Sequence, residues 1–158
     1  GMLCGKMDVR PAFERKIHLL EAANQFGMEI RGEWIIEEEF TIQAGARAMT
    51  RMLQLAERPT AVLAFNDVVA VGALSVIERQ GLRLGRDIAL AGIDGIDLTE
   101  SIFPGITTAA VDYAAFSEYV VSFAMNRGKG EAYQQDRMFP LQLIPRGTTV
   151  PLREGRKT

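Results

Sequence analysis

Several polar positions in this chain stand where an apolar run stops, which is where a binding site can form. Asn66 and Asp67 follow the run Thr60 to Phe65, and Asp94 and Gly95 follow Ile88 to Ile93. Arg15 closes the stretch after Met2-Leu3-Cys4, while Glu37 to Thr41 and Val111 to Tyr113 follow two further runs. If these runs are strands of an open parallel sheet, their carboxyl ends border the crevice in which such folds bind ligands. Arginine donates hydrogen bonds, aspartate accepts them, asparagine does both, and an aromatic ring covers an apolar face. That mixture suits a polyhydroxylated or otherwise polar small molecule.

Each of these residues has a plainer role to weigh. Asp67 precedes a helical pattern and is expected first as its N-cap. Asn66 either shapes the turn or reaches the ligand, and Asp94 before Gly95 suits a turn as well as a ligand contact. Arg15 lies inside the apolar sector of its helix, which favours a place in the cleft over a surface ion pair. Its neighbour Lys16 is expected to snorkel. His18 shares a polar arc with Glu14 and Glu21 and is expected to be solvated, and Glu37-Glu38-Glu39 resembles a solvated acidic loop. Trp34 and the seven methionines suit core filling, and nothing near Cys4 in sequence would activate its thiol. There is no Gly-x-Ser-x-Gly elbow, phosphate-gripping glycine loop or metal-ligand spacing, so neither an enzyme, a metal nor a cofactor is expected.

The elements that must position these residues alternate in type. Met2 to Cys4 has the character of a buried strand, and a helix over 11–26 begins at Pro11 and ends at Gly27. A strand is expected around Glu33 to Ile36 and a helix over Ile42 to Ala56 with Thr41 as N-cap. Strand Thr60 to Phe65 and helix Val68 to Gln80 follow, then strand Ile88 to Ile93. The short segment Asp97 to Phe103 is broken by Pro104-Gly105. Strand Ile106 to Val111, helix Tyr113 to Met125, a polar loop over Arg127 to Asp136 and strand Met138 to Ile144 complete the chain. Strands alternating with helices through short loops predict an α/β doubly wound parallel sheet.

With 158 residues and 47% apolar content, the chain can fill one ordinary core. A net charge of -2 lacks the basic excess of a nucleic-acid surface, so this region alone is not expected to hold DNA. One cysteine and one histidine exclude an internal disulfide and a Cys/His zinc cluster, which fits a reducing cytoplasm. No membrane-spanning run and no signal-like leader are visible. The abrupt apolar start suggests a chain that begins mid-fold.

The stretch Arg58-Pro-Thr-Ala-Val-Leu-Ala-Phe-Asn-Asp-Val-Val-Ala-Val-Gly-Ala-Leu resembles the LacI/GalR family of transcriptional regulators. Gly81-Leu82-Arg83, Asp87 to Asp94, Pro104-Gly105-Ile106-Thr107-Thr108 and Pro145-Arg146-Gly147-Thr148-Thr149 resemble the same family in the same order. The resemblance implies the C-terminal lobe of a periplasmic-binding-protein-like type I fold, with residues 1–158 as an effector-binding and dimerisation region. The helix-turn-helix and most of the first lobe would lie outside it, so DNA would be bound only through that other part.

The resemblance further implies a small-molecule effector, a sugar or related metabolite, contacted by Arg15, Phe40, Asn66 and Asp94. It implies a homodimer formed through the Val68 to Gln80 helix and the Asp97 to Phe103 segment, at Val71, Leu74, Ile102 and Phe103. The apolar circumference of that helix, too wide for one sheet face, points the same way. His18, Gly95 and Val111 depart from the family pattern, which leaves the effector's identity open. The alternative is a sugar-binding receptor of the same fold.

Overall fold

The computed structural model describes residues 1–127 and 137–149, excluding the side chains of 126 and 127. Among the described residues, six strands form one sheet in the order β2-β1-β3-β4-β5-β6. They are β1 (Met2–Cys4), β2 (Ile35–Glu37), β3 (Ala61–Ala64), β4 (Ala89–Asp94), β5 (Thr107–Ala110) and β6 (Gln142–Ile144). The helices are α1 (Arg10–Gln25), α2 (Ile42–Leu53), α3 (Asp67–Arg79), the single turn α4 (Leu98–Ser101) and α5 (Tyr113–Arg127).

β1 is the pivot of the sheet. Met2 pairs with Ile35 of β2 on one side and with Leu63 of β3 on the other, both in parallel. The chain therefore winds outward in both directions from β1, and the carboxyl ends of β1 and β3 flank the point where the winding reverses. β3, β4 and β5 continue in parallel, as the alternation of elements predicts. β6 differs: it runs antiparallel to β5, with Thr108 opposite Ile144. It is also shorter than the expected Met138 to Ile144 strand.

The two faces of the sheet bury different residues because side chains alternate along each strand. Leu3, Ile36, Val62, Ala64 and Leu90 meet α2 and α3, whereas Met2, Cys4 and Phe65 meet Ala12 of α1 on the opposite face. α3 is apolar nearly all round because it has two partners. One side lies on the sheet, and another lies so close to α2 that a Cβ at Gly72 would come within 2.0 Å of the Ile42 carbonyl oxygen. Gly45 of α2 is equally tight, its Cβ position being 2.2 Å from the Val69 carbonyl oxygen. The breadth of the apolar stripe therefore needs no second subunit. Leu74 is 2% exposed and belongs to this core, which removes it from any pairing surface. Val71 and Ile102 stay half-buried, and Phe103 is 88% exposed.

On the α1 side, β3 and β4 are only partly covered. Leu19, Phe26, Met28, Trp34, Leu63 and Ala91 line an apolar groove of about 740 Å³ there, away from the carboxyl ends of the strands.

Candidate functional site

The site begins with an arginine held by a helix that starts just past β1. Pro11 stands in the first turn of α1, where its missing N–H costs nothing, and Arg15 follows on the side facing the sheet ends. The Arg15 guanidinium spends one nitrogen, Nη1, on the Phe65 carbonyl oxygen at the end of β3. The other, Nη2, lies 3.6 Å from Oδ1 of Asp94, so the guanidinium bridges the ends of β3 and β4. Roughly a third of the Arg15 side chain and a quarter of that of Asp94 remain open to solvent. A ligand can therefore reach both without the core opening.

Asp94 closes β4 in an uncommon conformation for a residue with a side chain, with φ of 121°, and Gly95 after it has φ of 79°. The Asp94 carbonyl accepts from the Val111 N–H at 3.1 Å, which ties the turn to the end of β5. Burial holds the Asp94 carboxyl above the ordinary aspartate range; Arg15 opposes that shift and Asp67 adds to it. The Tyr113 phenol is also raised, first by burial and then by Asp94 and Asp67, which locates Tyr113 at the same crevice. Tyr113 belonged to the strand-end stretch Val111 to Tyr113, although nothing in its spacing singled it out.

The N-cap role expected of Asp67 falls to Asn66. Asn66 is the N-cap of α3: its backbone is extended, with φ of -150°, and its side-chain oxygen accepts from the Val69 N–H at 2.8 Å. Its Nδ2 has no hydrogen bond among the described residues. Asp67 already has its place in the helix and is wholly buried. Its Oδ2 accepts from the N–H groups of Gly95 at 2.6 Å and Ile96 at 3.0 Å, and its Oδ1 from the Thr108 hydroxyl at 2.7 Å.

Phe40, between β2 and α2, rests its ring on Gly5 so closely that a Cβ there would be 2.0 Å from Cζ. The structure thus joins Arg15 and Asp94 directly, while Asn66 and Phe40 stand at other strand ends without a bond to that pair.

The flanking charges are organised more than the sequence suggested. Glu38 pairs with Arg47 at 2.8 Å and Arg51 at 3.4 Å, Glu39 with Lys6 at 3.3 Å and Arg47 at 3.2 Å. Glu37 takes Lys16 at 3.1 Å, so Lys16 is an ion-pair partner and the acidic run is a neutralised network. His18 is exposed and 3.2 Å from Glu21, in the polar arc expected of it. Among the described residues no cluster of His, Cys, Asp and Glu could hold a metal ion, and no helix is long and apolar enough to cross a membrane.

Comparison with known proteins follows the same outline. A family model described as the periplasmic binding protein-like domain matches residues 1–149. The HTH-type transcriptional repressor CytR of Escherichia coli K12 is 31% identical over 153 residues, covering 96% of this chain and 45% of the repressor. The HTH-type transcriptional repressor PurR of Erwinia tasmaniensis is 29% identical over 157 residues, covering 97% of this chain and 46% of the repressor. Among solved structures, the dimeric Lac repressor with an 11-residue C-terminal deletion superposes with a TM-score of 0.88 at 25% identity, over 95% of this chain and 54% of that one. A regulatory protein of the LacI family from Chloroflexus aggregans gives 0.87 at 26% identity, over 94% and 54%. The chain spans about half the length of the relatives it matches.

Proposed function

The chain belongs to the periplasmic binding protein-like family, and from that premise we propose that it is the effector-sensing region of a LacI-type transcriptional repressor. The observation that carries this reading is the Arg15–Asp94 pair, half-open at the carboxyl ends of the strands next to the winding reversal. A carboxylate and a guanidinium side by side grip a vicinal diol, the first accepting from the hydroxyls and the second donating to them. Asn66 adds an amide group with no partner at Nδ2 among the described residues and Phe40 a ring at the crevice wall, so the effector class is a sugar or a related metabolite. Effector binding would change how this lobe closes on the rest of the intact repressor, and closure would change DNA binding made elsewhere in that protein. The setting is cytoplasmic, the subunits pair as a homodimer, and the region carries out no catalysis and needs no cofactor.

Isothermal titration with D-ribose, D-galactose, D-glucose and adenosine tests the assignment. At least one should bind with an exothermic isotherm, and Asp94→Ala should weaken that binding by about 3 kcal/mol, roughly a hundredfold, through loss of charge-assisted hydrogen bonds. Unchanged affinity in that variant would remove Asp94 from the site.

A further inference from the structure

We infer that Asp67 is the positioning residue of the effector site: its buried carboxylate holds the Asp94–Gly95–Ile96 turn in the conformation that turns Asp94 toward Arg15. This deepens the effector reading and rests on it for its functional meaning, but its geometry stands independently. Two consecutive residues of that turn have positive φ, and the first, Asp94, carries a side chain that disfavours it. Such a conformation persists only where its surroundings over-determine it.

The surroundings here are specific. Asp67 Oδ2 takes the N–H groups of both Gly95 and Ile96, the two amides immediately after Asp94. Oδ1 is anchored by the Thr108 hydroxyl from β5, so the carboxylate cannot swing away from the turn. The same hydroxyl is also 3.2 Å from the Gly95 nitrogen. The sequence leaves room for this arrangement at one place on β4: a Cβ at Gly92 would lie 2.2 Å from Asp67 Oδ1. On the other side, a Cβ at Gly95 would lie 2.4 Å from the Ala110 Cβ.

Asp67 is 0% exposed and cannot itself touch a ligand in the crevice, so its influence passes through Asp94. It also stands in the first turn of α3, which carries Val71, and binds the backbone just ahead of α4, which Phe103 follows. A ligand that moves Asp94 therefore pulls on a carboxylate fixed to both.

The test is made on Asp67→Ala and Asp67→Asn, with nuclear magnetic resonance of the ligand-free chain first. The three-bond coupling between the Asp94 amide and α protons is small near a φ of 120° and large in ordinary extended backbone. It should be small in the unaltered chain and in Asp67→Asn, whose side-chain oxygen still accepts from both amides. In Asp67→Ala it should rise to the extended value. A coupling that stays small in Asp67→Ala overturns the inference, because something else then holds the turn.

Should Asp67→Ala fail to fold, Asp67→Asn decides alone. Its neutral acceptor should speed hydrogen exchange at Gly95 and Ile96 by about tenfold while leaving Ile77 unchanged, and equal exchange at all three overturns the inference. Titration with the same four probes then supplies the functional arm: Asp67→Ala should weaken binding at least tenfold and Asp67→Asn should restore most of it. If none of the four binds the unaltered chain, the effector reading fails, while the coupling and exchange results still decide the role of Asp67.

Discussion

Asp94 is held under two burdens in the ligand-free chain: a positive φ, and a carboxyl that burial and Asp67 disfavour in its charged form. A raised carboxyl pKa in the folded state penalises folding above that pKa, and the penalty vanishes at pH values below the unfolded one. Asp94→Asn removes the charge and keeps a side chain that tolerates positive φ as aspartate does. It should therefore raise the melting temperature at neutral pH, and the gain should shrink as the pH falls through the range in which the native carboxyl protonates. Thermal melts across that interval check the slope, and the same variant should lose effector binding. Cys4 is a simpler case. Burial pushes its thiol up to about 12, so it should react with a thiol reagent only on unfolding, a rate that Ellman's reagent measures with and without denaturant. Arg15 and Asp94 were legible from sequence because both interrupt an apolar pattern. The work of Asp67 was not, because its partners Gly95, Ile96 and Thr108 lie 28, 29 and 41 positions away.

At the scale of elements, the decisive packing is backbone against backbone between α2 and α3. Gly45 and Gly72 are the positions that permit it, each facing a main-chain carbonyl of the other helix at a distance no Cβ can occupy. Gly72→Ala should destabilise the chain by about 1–3 kcal/mol through overpacking, despite the better helix propensity of alanine. Urea denaturation reads this as a lower midpoint, and Gly32→Ala, which meets nothing within 4 Å, serves as the control and should be near neutral. Element types were legible from periodicity, down to Thr41, whose hydroxyl oxygen accepts from the Ala44 N–H at 3.1 Å as an N-cap should. The α2–α3 contact was hidden because a glycine in a helical pattern looks like a weak helix residue, and only the neighbouring backbone gives it a purpose. The direction of β6 was hidden for a related reason: three residues of strand carry no sign of which way they pair.

For the molecule as a whole, the parallel sheet from β1 to β5 follows from the alternation of elements, whereas its surface does not. α5 and the segment after it expose Phe116, Val121, Met125, Met138 and Leu143, and Phe103 projects beside α4. Large exposed apolar side chains gathered into a patch usually meet another surface. The case for pairing through α3 and α4 now rests on Val71, Ile102 and Phe103 without Leu74, which the core already uses. Phe103 is the most informative of the three, because its side chain is almost wholly exposed in the single chain. Phe103→Glu should therefore leave the melting curve of the single chain almost unchanged. In a homodimer paired through this segment it would bury an unpaired carboxylate of each subunit in the contact. Sedimentation velocity should then show a dimer becoming a monomer at micromolar concentration. A sedimentation coefficient unaffected by Phe103→Glu would move the pairing surface away from α4, with α5 and β6 as the next face to alter.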